Sequence, residues 1–360
     1  MSLFFPRESC LGIDIGSSSI KIVELKNEGG KIKLLTYGFS ESFNDLDQAS
    51  PKEIAAIINK ICQEAGATSR KAISALPTFS VFSSIISLSG VDKKDLASAI
   101  NWEAKKVIPL PLEEMILDWK KIVNVGEEKT GLPALPTDRP AGQAGNKGDT
   151  KILLTGAPRT LVKKYIEIFK NAQINLSSLE TETFALIRSL LGNDKSTVMI
   201  VEIGTKTSSF NIVDQNIPIL NRSIDIGGWT ITKAISDNLN IGLDRAEQFK
   251  YDMGISSIDS ADNTIPKTIV ESISPIINEI KYALNIYQNK SNKKVDKIIL
   301  SGGSALLINF TSYLSKMLNI NVLAGDPWAK VSCPVDLKPL LDEIAPRMAI
   351  AIGLSLRGME

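Results

Sequence analysis

Residues 11–25 constrain the fold of this 360-residue chain most strongly. They read Leu-Gly-Ile-Asp-Ile-Gly-Ser-Ser-Ser-Ile-Lys-Ile-Val-Glu-Leu, so two alternating, β-branched runs flank a tight turn. Such runs predict paired strands, and Gly16 permits a backbone bend that a side chain would resist. The turn offers consecutive backbone N–H groups and three hydroxyl groups, which favours a phosphate site. An ordinary β-hairpin with a small polar turn explains these residues equally well.

Two charged residues flank this turn. Asp14 precedes it, at a position where a carboxylate can hold Mg²⁺ through water. Lys21 follows on the second strand, where its ammonium group can neutralise phosphate charge. These two residues favour the phosphate-site interpretation.

Two later stretches of the sequence strengthen the phosphate-site interpretation. Residues 201–213 read Val-Glu-Ile-Gly-Thr-Lys-Thr-Ser-Ser-Phe-Asn-Ile-Val and repeat the first design. Residues 298–306 read Ile-Ile-Leu-Ser-Gly-Gly-Ser-Ala-Leu, a buried strand followed by two glycines and a helix start. Such a loop lets the backbone approach a nucleotide closely. Two hairpins far apart in the sequence predict two related lobes that face one phosphate chain.

Composition argues against several classes of function. The net charge of +1 gives no strong field toward nucleic acid or anionic lipid, and no apolar run approaches the roughly 20 residues of a membrane span. Because the chain has no histidine, Ser-His-Asp catalysis, Cys-His catalysis and His-ligated metals are excluded. Its three cysteines lack metal-site spacing and do not suggest a disulfide framework, so a reducing cytoplasm is expected.

Periodicity in the first half predicts three antiparallel strands from residue 13 to about 39, then a small α/β insertion from about residue 78. We expect Trp102 and Trp119 to anchor the core of this insertion. Residues 127–150 are rich in Pro and Gly and predict a disordered loop, with a proline-rich ligand motif as the alternative. The other predicted elements are helices at 51–65, 93–107 and 161–172 and strands at 71–76, 81–88, 115–125 and 151–157.

The second half predicts the repeated hairpin and several helices. Glu247 and Lys250 stand three residues apart and would share a helix face, either in a binding site or as a solvated ion pair. Gly353 would allow the last helix to pack closely at a seam between lobes. The predicted elements are helices at 179–191, from 227, at 246–254, 268–289 and 345–356, a hairpin at 198–214 and a third strand beside it at 217–226.

The order of the three glycine-bearing motifs resembles the actin-like ATPase superfamily. Five stretches also resemble the type IV pilus assembly PilM family: residues 12–25, 99–118, 226–232, 246–250 and 349–358. The second is the most discriminating, because its Trp-Glu-Ala and Ile-Pro-Leu-Pro-Leu-Glu-Glu lie in the insertion and not in the shared core. The resemblance implies an α/β, two-lobed actin-like ATPase fold with an FtsA-type small α/β domain inserted in the first lobe.

The resemblance also implies domain boundaries and an ATP and Mg²⁺ site. The first lobe would comprise residues 1–77, 178–197 and 340–360, the inserted domain 78–177, and the second lobe 198–339 with a subdomain at about 227–295. The implied roles are a hydrated Mg²⁺ on Asp14; β- and γ-phosphates on Ser17, Ser18, Ser19 and Lys21; a second phosphate turn at Gly204 and Thr205; ribose and base at Glu247 and Lys250; adenosine under Gly302, Gly303 and Ser304; and catalytic acids at Glu182 and Glu202.

Glu202 departs from the superfamily pattern, in which the second phosphate turn usually begins with Asp. The extra carbon moves the carboxylate by about 1.5 Å. Since misplacement on the order of 1 Å can greatly reduce a rate, we expect nucleotide binding with slow or no hydrolysis.

The family further implies a cytoplasmic protein held at the inner membrane through partners. It would bind the N-terminal cytoplasmic segment of a bitopic PilN-like protein in a groove beside the inserted domain and link to the pilus motor complex, with self-association left open. A small-molecule kinase is one alternative, although no acidic base over an acceptor pocket stands out beyond the phosphate turns. An FtsA-like cell-division filament protein is another, disfavoured here because the sequence shows no C-terminal amphipathic helix for membrane binding.

Overall fold

The computed structural model describes residues 9–41, 45–91, 95–122, 150–255 and 264–360. The strands are β1 Cys10–Ile15, β2 Ser19–Glu28, β3 Lys31–Glu41, β4 Lys71–Leu76, β5 Phe82–Leu88, β6 Met115–Ile122, β7 Thr150–Pro158, β8 Asn175–Thr181, β9 Val198–Ile203, β10 Ser208–Asp214, β11 Ile217–Ile224, β12 Lys297–Ser301 and β13 Asn321–Ala324. The helices are α1 Pro51–Glu64, α2 Leu96–Val107, α3 Arg159–Ala172, α4 Glu182–Leu186, α5 Gly228–Leu239, α6 Leu243–Met253, α7 Thr264–Ser291, α8 Phe310–Leu318 and α9 Lys338–Arg357.

Two five-stranded sheets repeat one topology. The first has the order β3-β2-β1-β4-β8 and the second β11-β10-β9-β12-β13. In each, three antiparallel strands precede two strands that run parallel to the first. The sequences of these strands are apolar and β-branched. Such nearly continuous apolar runs are typical of parallel strands that are buried on both faces. The repeated topology agrees with the prediction of two related lobes.

A third, smaller sheet is inserted between β4 and β8. Its order is β5-β7-β6, and every pairing is antiparallel. Alternate residues of these strands, such as Ile86 and Leu154, pack against Ile100 and Ala104 of α2 to form a separate core. This small α/β unit agrees with the predicted inserted domain, whose boundaries at residues 78 and 177 stay a prediction.

Several sequence-based predictions were wrong. Trp102 is 65% exposed and Trp119 41% exposed, so they are not core anchors. Trp102 points away from the face of α2 that carries Ile100 and Ala104, and Trp119 lies on the edge strand β6. The helix predicted at 179–191 is also wrong at its start, because Glu180 lies in β8, where parallel pairing with β4 overrides helix propensity.

Other differences concern element limits. The long helix α7 extends beyond the predicted limits at both ends, and neither α8 nor β13 was predicted. Of the loop predicted at 127–150, residues 127–149 lie outside the described residues and Thr150 begins β7.

Helix α9 lies at the seam between the two large sheets. It packs against β1 and β2 of the first sheet and β12 of the second, and one core cluster joins Ile73, Val198 and Ile350. A Cβ on Gly353 would lie 2.0 Å from the carbonyl oxygen of Ala185, so the close packing of α9 and α4 requires glycine. Within the part of the chain that the structure describes, no helix has the length and apolar character needed to cross a membrane.

Candidate functional site

A cavity of about 1210 Å³ separates the two large sheets. It opens where the parallel strands β1, β9 and β12 end, the usual position of a ligand site in such sheets. Every site residue predicted from the sequence lines it: Asp14, Ser17, Ser18, Ser19, Lys21, Glu182, Glu202, Gly204, Thr205, Glu247, Lys250, Gly302, Gly303 and Ser304.

The turn between β1 and β2 forms one wall. The Gly16 N–H donates to the carbonyl of Ser19 at 2.9 Å, which closes the turn. Gly16 does not have a positive φ, but a Cβ there would crowd the Ser19 carbonyl oxygen at 3.2 Å, which agrees with the prediction that a side chain would resist this bend. Lys21 pairs directly with Asp14 across the hairpin, and its Nζ lies 3.1 Å from Asp14 Oδ2. The hairpin thus places a cation and an almost fully buried carboxylate beside three hydroxyls.

The turn between β9 and β10 forms the facing wall. Gly204 N–H donates to the carbonyl of Thr207 at 3.0 Å, repeating the closure of the first turn. The carbonyls of Gly204 and Thr205 in turn accept the N–H groups of Gly228 and Trp229 at 2.8 Å each. The start of α5 therefore fixes the second turn.

The two turns contact each other across the cleft. Ser18 Oγ lies 2.6 Å from Thr205 Oγ1. Beside this contact, Lys206 forms ion pairs with Asp45 and with Asp47, the latter at 3.1 Å. Sequence reasoning missed these three charged residues, because nothing in a local pattern indicates a contact between distant segments.

Two carboxyl groups lie deep in the cleft and hold protons unusually tightly. Burial and the nearby charge of Asp14 together raise the pKa of Glu182 to about 7, although the Thr78 N–H, which donates to Glu182 Oε2 at 2.8 Å, opposes the rise. Burial raises the pKa of Glu202 to about 8, with Glu182 adding to the rise and Lys21 opposing it. A carboxyl group that titrates near neutral pH can accept or donate a proton during a reaction.

An ion pair on α6 also lines the cavity. The Lys250 side chain is only 2% exposed, and its Nζ lies 2.6 Å from Glu247 Oε2 and 3.0 Å from Thr232 Oγ1. Burial lowers the pKa of Lys250, and Glu247 opposes that shift. The predicted shared face is therefore present, and the pair faces the cavity instead of bulk solvent.

The glycine loop after β12 forms another part of the cavity wall. Gly302 has a φ of +82°, and a Cβ there would lie 2.2 Å from the Ile203 carbonyl oxygen, so only glycine fits. Its N–H donates to the carbonyl of Pro346 in α9 at 2.9 Å. Arg347, the next residue, and Tyr251 of α6 also line the cavity, and no sequence motif pointed to either.

The carboxylates of the cavity suit a magnesium ion that is held mainly by phosphates and waters. Among the described residues, no three Asp, Glu, Cys or His side chains lie close enough together to hold a metal. Mg²⁺ in nucleotide sites is typically bound by one or two carboxylates together with phosphates and waters. Asp14, buried at the mouth of the phosphate turn, fits that role.

Comparison with known proteins agrees with this architecture. The family model for type IV pilus assembly protein PilM matches residues 12–135 and 138–359. The cell division protein FtsA of Neisseria meningitidis serogroup B is 25% identical over 288 residues, covering 73% of this chain and 66%, just under two thirds, of that protein. FtsA of Enterococcus hirae is 21% identical over 389 residues, covering 95% of this chain and 86% of its own length.

Solved structures share the fold. A PilM–PilN type IV pilus biogenesis complex superposes with a TM-score of 0.82 at 24% identity, covering 99% of this chain and 100% of that one. MreB5 of Spiroplasma citri bound to AMPPNP superposes with a TM-score of 0.51 at 11% identity, covering 97% and 95%. The predicted α/β actin-like fold is confirmed, and the chain belongs to the family of type IV pilus assembly protein PilM.

Proposed function

We propose that this protein is an ATP-binding scaffold of the type IV pilus inner-membrane complex, with nucleotide acting mainly as a conformational ligand. The observation that carries the proposal is the convergence of three glycine-bearing loops, from two sheets of one topology, on a single cavity. Membership of the PilM family supports the pilus role. Nucleotide bound to actin-fold neighbours such as MreB5 supports the ligand class.

Each wall of the cavity would bind one part of Mg²⁺–ATP. Asp14 would hold the hydrated ion, which neutralises phosphate charge when bound. The Ser17–Ser18–Ser19 turn, Lys21, Gly204 and Thr205 would hold the phosphates, because backbone N–H groups, hydroxyls and a cation converge there. Glu247 and Lys250 would contact ribose and base, and Gly302, Gly303 and Ser304 would close over adenosine.

Hydrolysis would be slow or absent. Glu202 has one more carbon than the Asp that the superfamily usually places here, and its raised pKa keeps it largely protonated at neutral pH. A protonated carboxyl group cannot accept the proton of an attacking water. Glu182, whose pKa lies near 7, would be the better acceptor, and positioning would then limit the rate.

The partner would be the N-terminal cytoplasmic segment of a PilN-like protein. This partner would hold the scaffold at the cytoplasmic face of the inner membrane and connect it to the pilus motor complex. The cavity continues beside the inserted domain, where Phe79 and α3 residues Leu161 and Tyr165 line it. Phe79 is 53% exposed, so its ring offers apolar surface to a ligand in this part of the cavity. An apolar groove beside Lys164 and Asp47 suits a peptide that carries both apolar and charged side chains. Self-association of the scaffold remains a separate proposal.

Binding measurements with matched variants test both the proposed ATP site and the proposed binding of the partner segment. Calorimetry of the full chain should detect Mg²⁺–ATP binding and, separately, binding of a synthetic peptide that copies the partner segment. Phe79→Ala should weaken peptide binding several-fold, whereas Leu340→Ala, which removes a 48% exposed side chain outside the cavity, should not. Absence of nucleotide binding would contradict the ATP site, and absence of peptide binding would contradict the scaffold role.

A small-molecule kinase is the second candidate. The observation that favours it is Glu182, a carboxyl group with a pKa of about 7 in the cleft, which suits a general base. A screen for phosphorylated products with ATP and small hydroxyl compounds separates the two functions, since a scaffold would give none.

A further inference from the structure

Arg347 and Tyr251 meet beside the glycine loop and line the cavity. Arg347 Nη2 donates to the Tyr251 hydroxyl at 3.2 Å, and the guanidinium carbon lies 5.6 Å from the Tyr251 ring centroid. A Cβ built on Gly303 would lie 3.2 Å from the Tyr251 hydroxyl and 3.5 Å from Arg347 Nε. Both side chains therefore face the backbone that a bound nucleoside would approach.

The backbone around Arg347 is fixed to that loop. The carbonyl of Pro346 accepts the Gly302 N–H at 2.9 Å and the Ser301 hydroxyl at 3.1 Å. Because α9 is also packed at the seam between the two large sheets, Arg347 has a defined starting point from which to reach into the cavity. A side chain held in this way loses less freedom when it binds a ligand.

The guanidinium group has the chemistry to bind a nucleotide base. It is planar, permanently charged and more weakly hydrated than an ammonium group, so it stacks on aromatic faces and donates to ring nitrogens and carbonyls. Arg347 already lies over an aromatic ring, that of Tyr251. A base resting on Gly302 and Gly303 would present a second aromatic surface to the same group.

We propose that Arg347, oriented by Tyr251, binds the base of the nucleotide. This inference rests on the proposed ATP site and adds to it a contact from α9, whereas Glu247, Lys250 and Ser304 approach from the second lobe. Nucleotide would consequently be held at both ends by residues of both lobes, the phosphates between the two turns and the base between α6 and α9.

A comparison of two ligands separates a base contact from a phosphate contact. The affinities of wild type, Arg347→Ala and Arg347→Lys should be measured by calorimetry for Mg²⁺–ATP and for Mg²⁺–tripolyphosphate, which has the phosphates but no base. Arg347→Ala should lower ATP affinity roughly tenfold and leave tripolyphosphate affinity unchanged, because a desolvated cation–π contact has about that effect. Arg347→Lys should retain only part of the ATP affinity, since lysine keeps the charge and loses the plane.

The control is Arg245→Ala. Arg245 also lies over an aromatic ring, that of Phe249 on the same helix α6, 5.4 Å from its centroid, but does not line the cavity. Arg245→Ala should leave the affinities for Mg²⁺–ATP and for Mg²⁺–tripolyphosphate unchanged. An unaltered ATP affinity in Arg347→Ala, or an equal loss for both ligands, would overturn the inference while leaving the ATP site standing. A wild-type protein that binds neither ligand would instead overturn the proposed function and this inference with it. Melting temperatures of the free variants identify any loss that comes from misfolding.

Discussion

The side-chain oxygens of Ser18 and Thr205 lie 2.6 Å apart, so the two phosphate turns touch each other across the cleft. One hydroxyl comes from the hairpin of the first sheet and the other from the equivalent hairpin of the second. Because the same hydroxyls are the groups proposed to hold phosphate, the contact between lobes and the ligand site use the same atoms. A phosphate chain entering the cleft must therefore replace or bridge this hydrogen bond.

The Ser18–Thr205 contact should be measurable as a coupling energy. In the absence of nucleotide, unfolding free energies of Ser18→Ala, Thr205→Ala and the double variant should give a coupling of about 1 kcal/mol, the net contribution of an ordinary hydrogen bond. Ser236, whose hydroxyl donates to the Ile241 carbonyl within the second lobe, provides a control. Its replacement by Ala should combine additively with Ser18→Ala. Strict additivity in the Ser18 and Thr205 cycle would contradict a contact in solution.

Removal of the Asp14 charge should act on magnesium more than on nucleotide. Asp14→Asn keeps the shape of a side chain that is 4% exposed, so it should weaken Mg²⁺–ATP binding about tenfold while ATP without Mg²⁺ binds no more weakly than in wild type. Calorimetry with and without Mg²⁺ measures this difference. Asp237→Asn, an exposed change on α5, should alter neither value. An Asp14→Asn protein with unchanged Mg²⁺ dependence would remove the metal assignment.

The raised pKa of Glu202 predicts a pH-dependent stability. Its folded-state pKa of about 8 lies above its ordinary value of 4.5, so the folded protein binds this proton more tightly than the unfolded chain does. The favourable contribution is complete below pH 4.5 and is lost as the pH rises through 4.5 to 8. Glu182, with a pKa of about 7, acts in the same direction.

Glu202→Gln should remove the part of this pH dependence that comes from Glu202. Because glutamine stays neutral, the variant should gain about 4 kcal/mol of unfolding free energy relative to wild type between pH 5 and pH 8.5. Urea unfolding at the two pH values measures the change. The exposed Glu167→Gln on α3 serves as the control and should follow the wild-type curve. Parallel curves for Glu202→Gln and wild type would mean that this carboxyl group is ionised throughout.

Two tryptophans should differ sharply in their contribution to stability. Trp328 is 6% exposed, its Nε1 donates to the Leu341 carbonyl at 3.0 Å, and its ring meets that of Tyr37 at 6.4 Å between centroids. Its replacement by Ala should cost about 3–5 kcal/mol of unfolding free energy. Trp102 is 65% exposed, so the same change there should cost less than about 1 kcal/mol. Thermal unfolding of both variants provides the comparison, and equal losses would contradict the exposure of Trp102.

The sequence allowed prediction of those site features that depend on neighbouring residues. Asp14 and Lys21 pair within one hairpin, and a hydrogen bond from Gly16 to Ser19 closes its turn. Residue type and spacing are sufficient for such features, because the contacts are local. The repeated hairpin then indicated two lobes, since one motif had to form the same local structure twice.

The features that could not be predicted depend on contacts between distant segments. Arg347 meets Tyr251, and Lys206 meets Asp45, through packing of the whole chain and not through a pattern around either residue. Glu180 lies in a strand because β4 is available as a parallel neighbour. The exposure of Trp102 likewise depends on which face of α2 meets the small sheet, and that face carries Ile100 and Ala104.

A connected set of contacts joins the second phosphate turn to the groove proposed for the partner. Lys206 follows Thr205 in that turn and forms its ion pair with Asp47 at 3.1 Å. The backbone carbonyl of Asp47 accepts a hydrogen bond from Lys164 of α3, also at 3.1 Å, and α3 lines the groove. Ordering of the turn by phosphate would therefore bias the position of α3.

Peptide and nucleotide should consequently affect each other's binding. The partner peptide should bind with affinities that differ at least about 5-fold among the nucleotide-free, ATP and ADP states, and by linkage the peptide must change nucleotide affinity by the same factor. Lys206→Ala should bring the three peptide affinities together, because it removes the ion pairs with Asp45 and Asp47. Lys297→Ala should leave the differences intact, because the ion pair that it breaks, with Asp194 at 2.6 Å, lies outside the cavity.

Calorimetric titration of peptide in each nucleotide state measures the peptide affinities, and phosphate release followed alongside measures turnover. Equal peptide affinities in all three states of the wild-type protein would leave a scaffold without nucleotide control, and turnover on the order of 10 s⁻¹ would instead indicate an enzyme whose chemistry is its main activity.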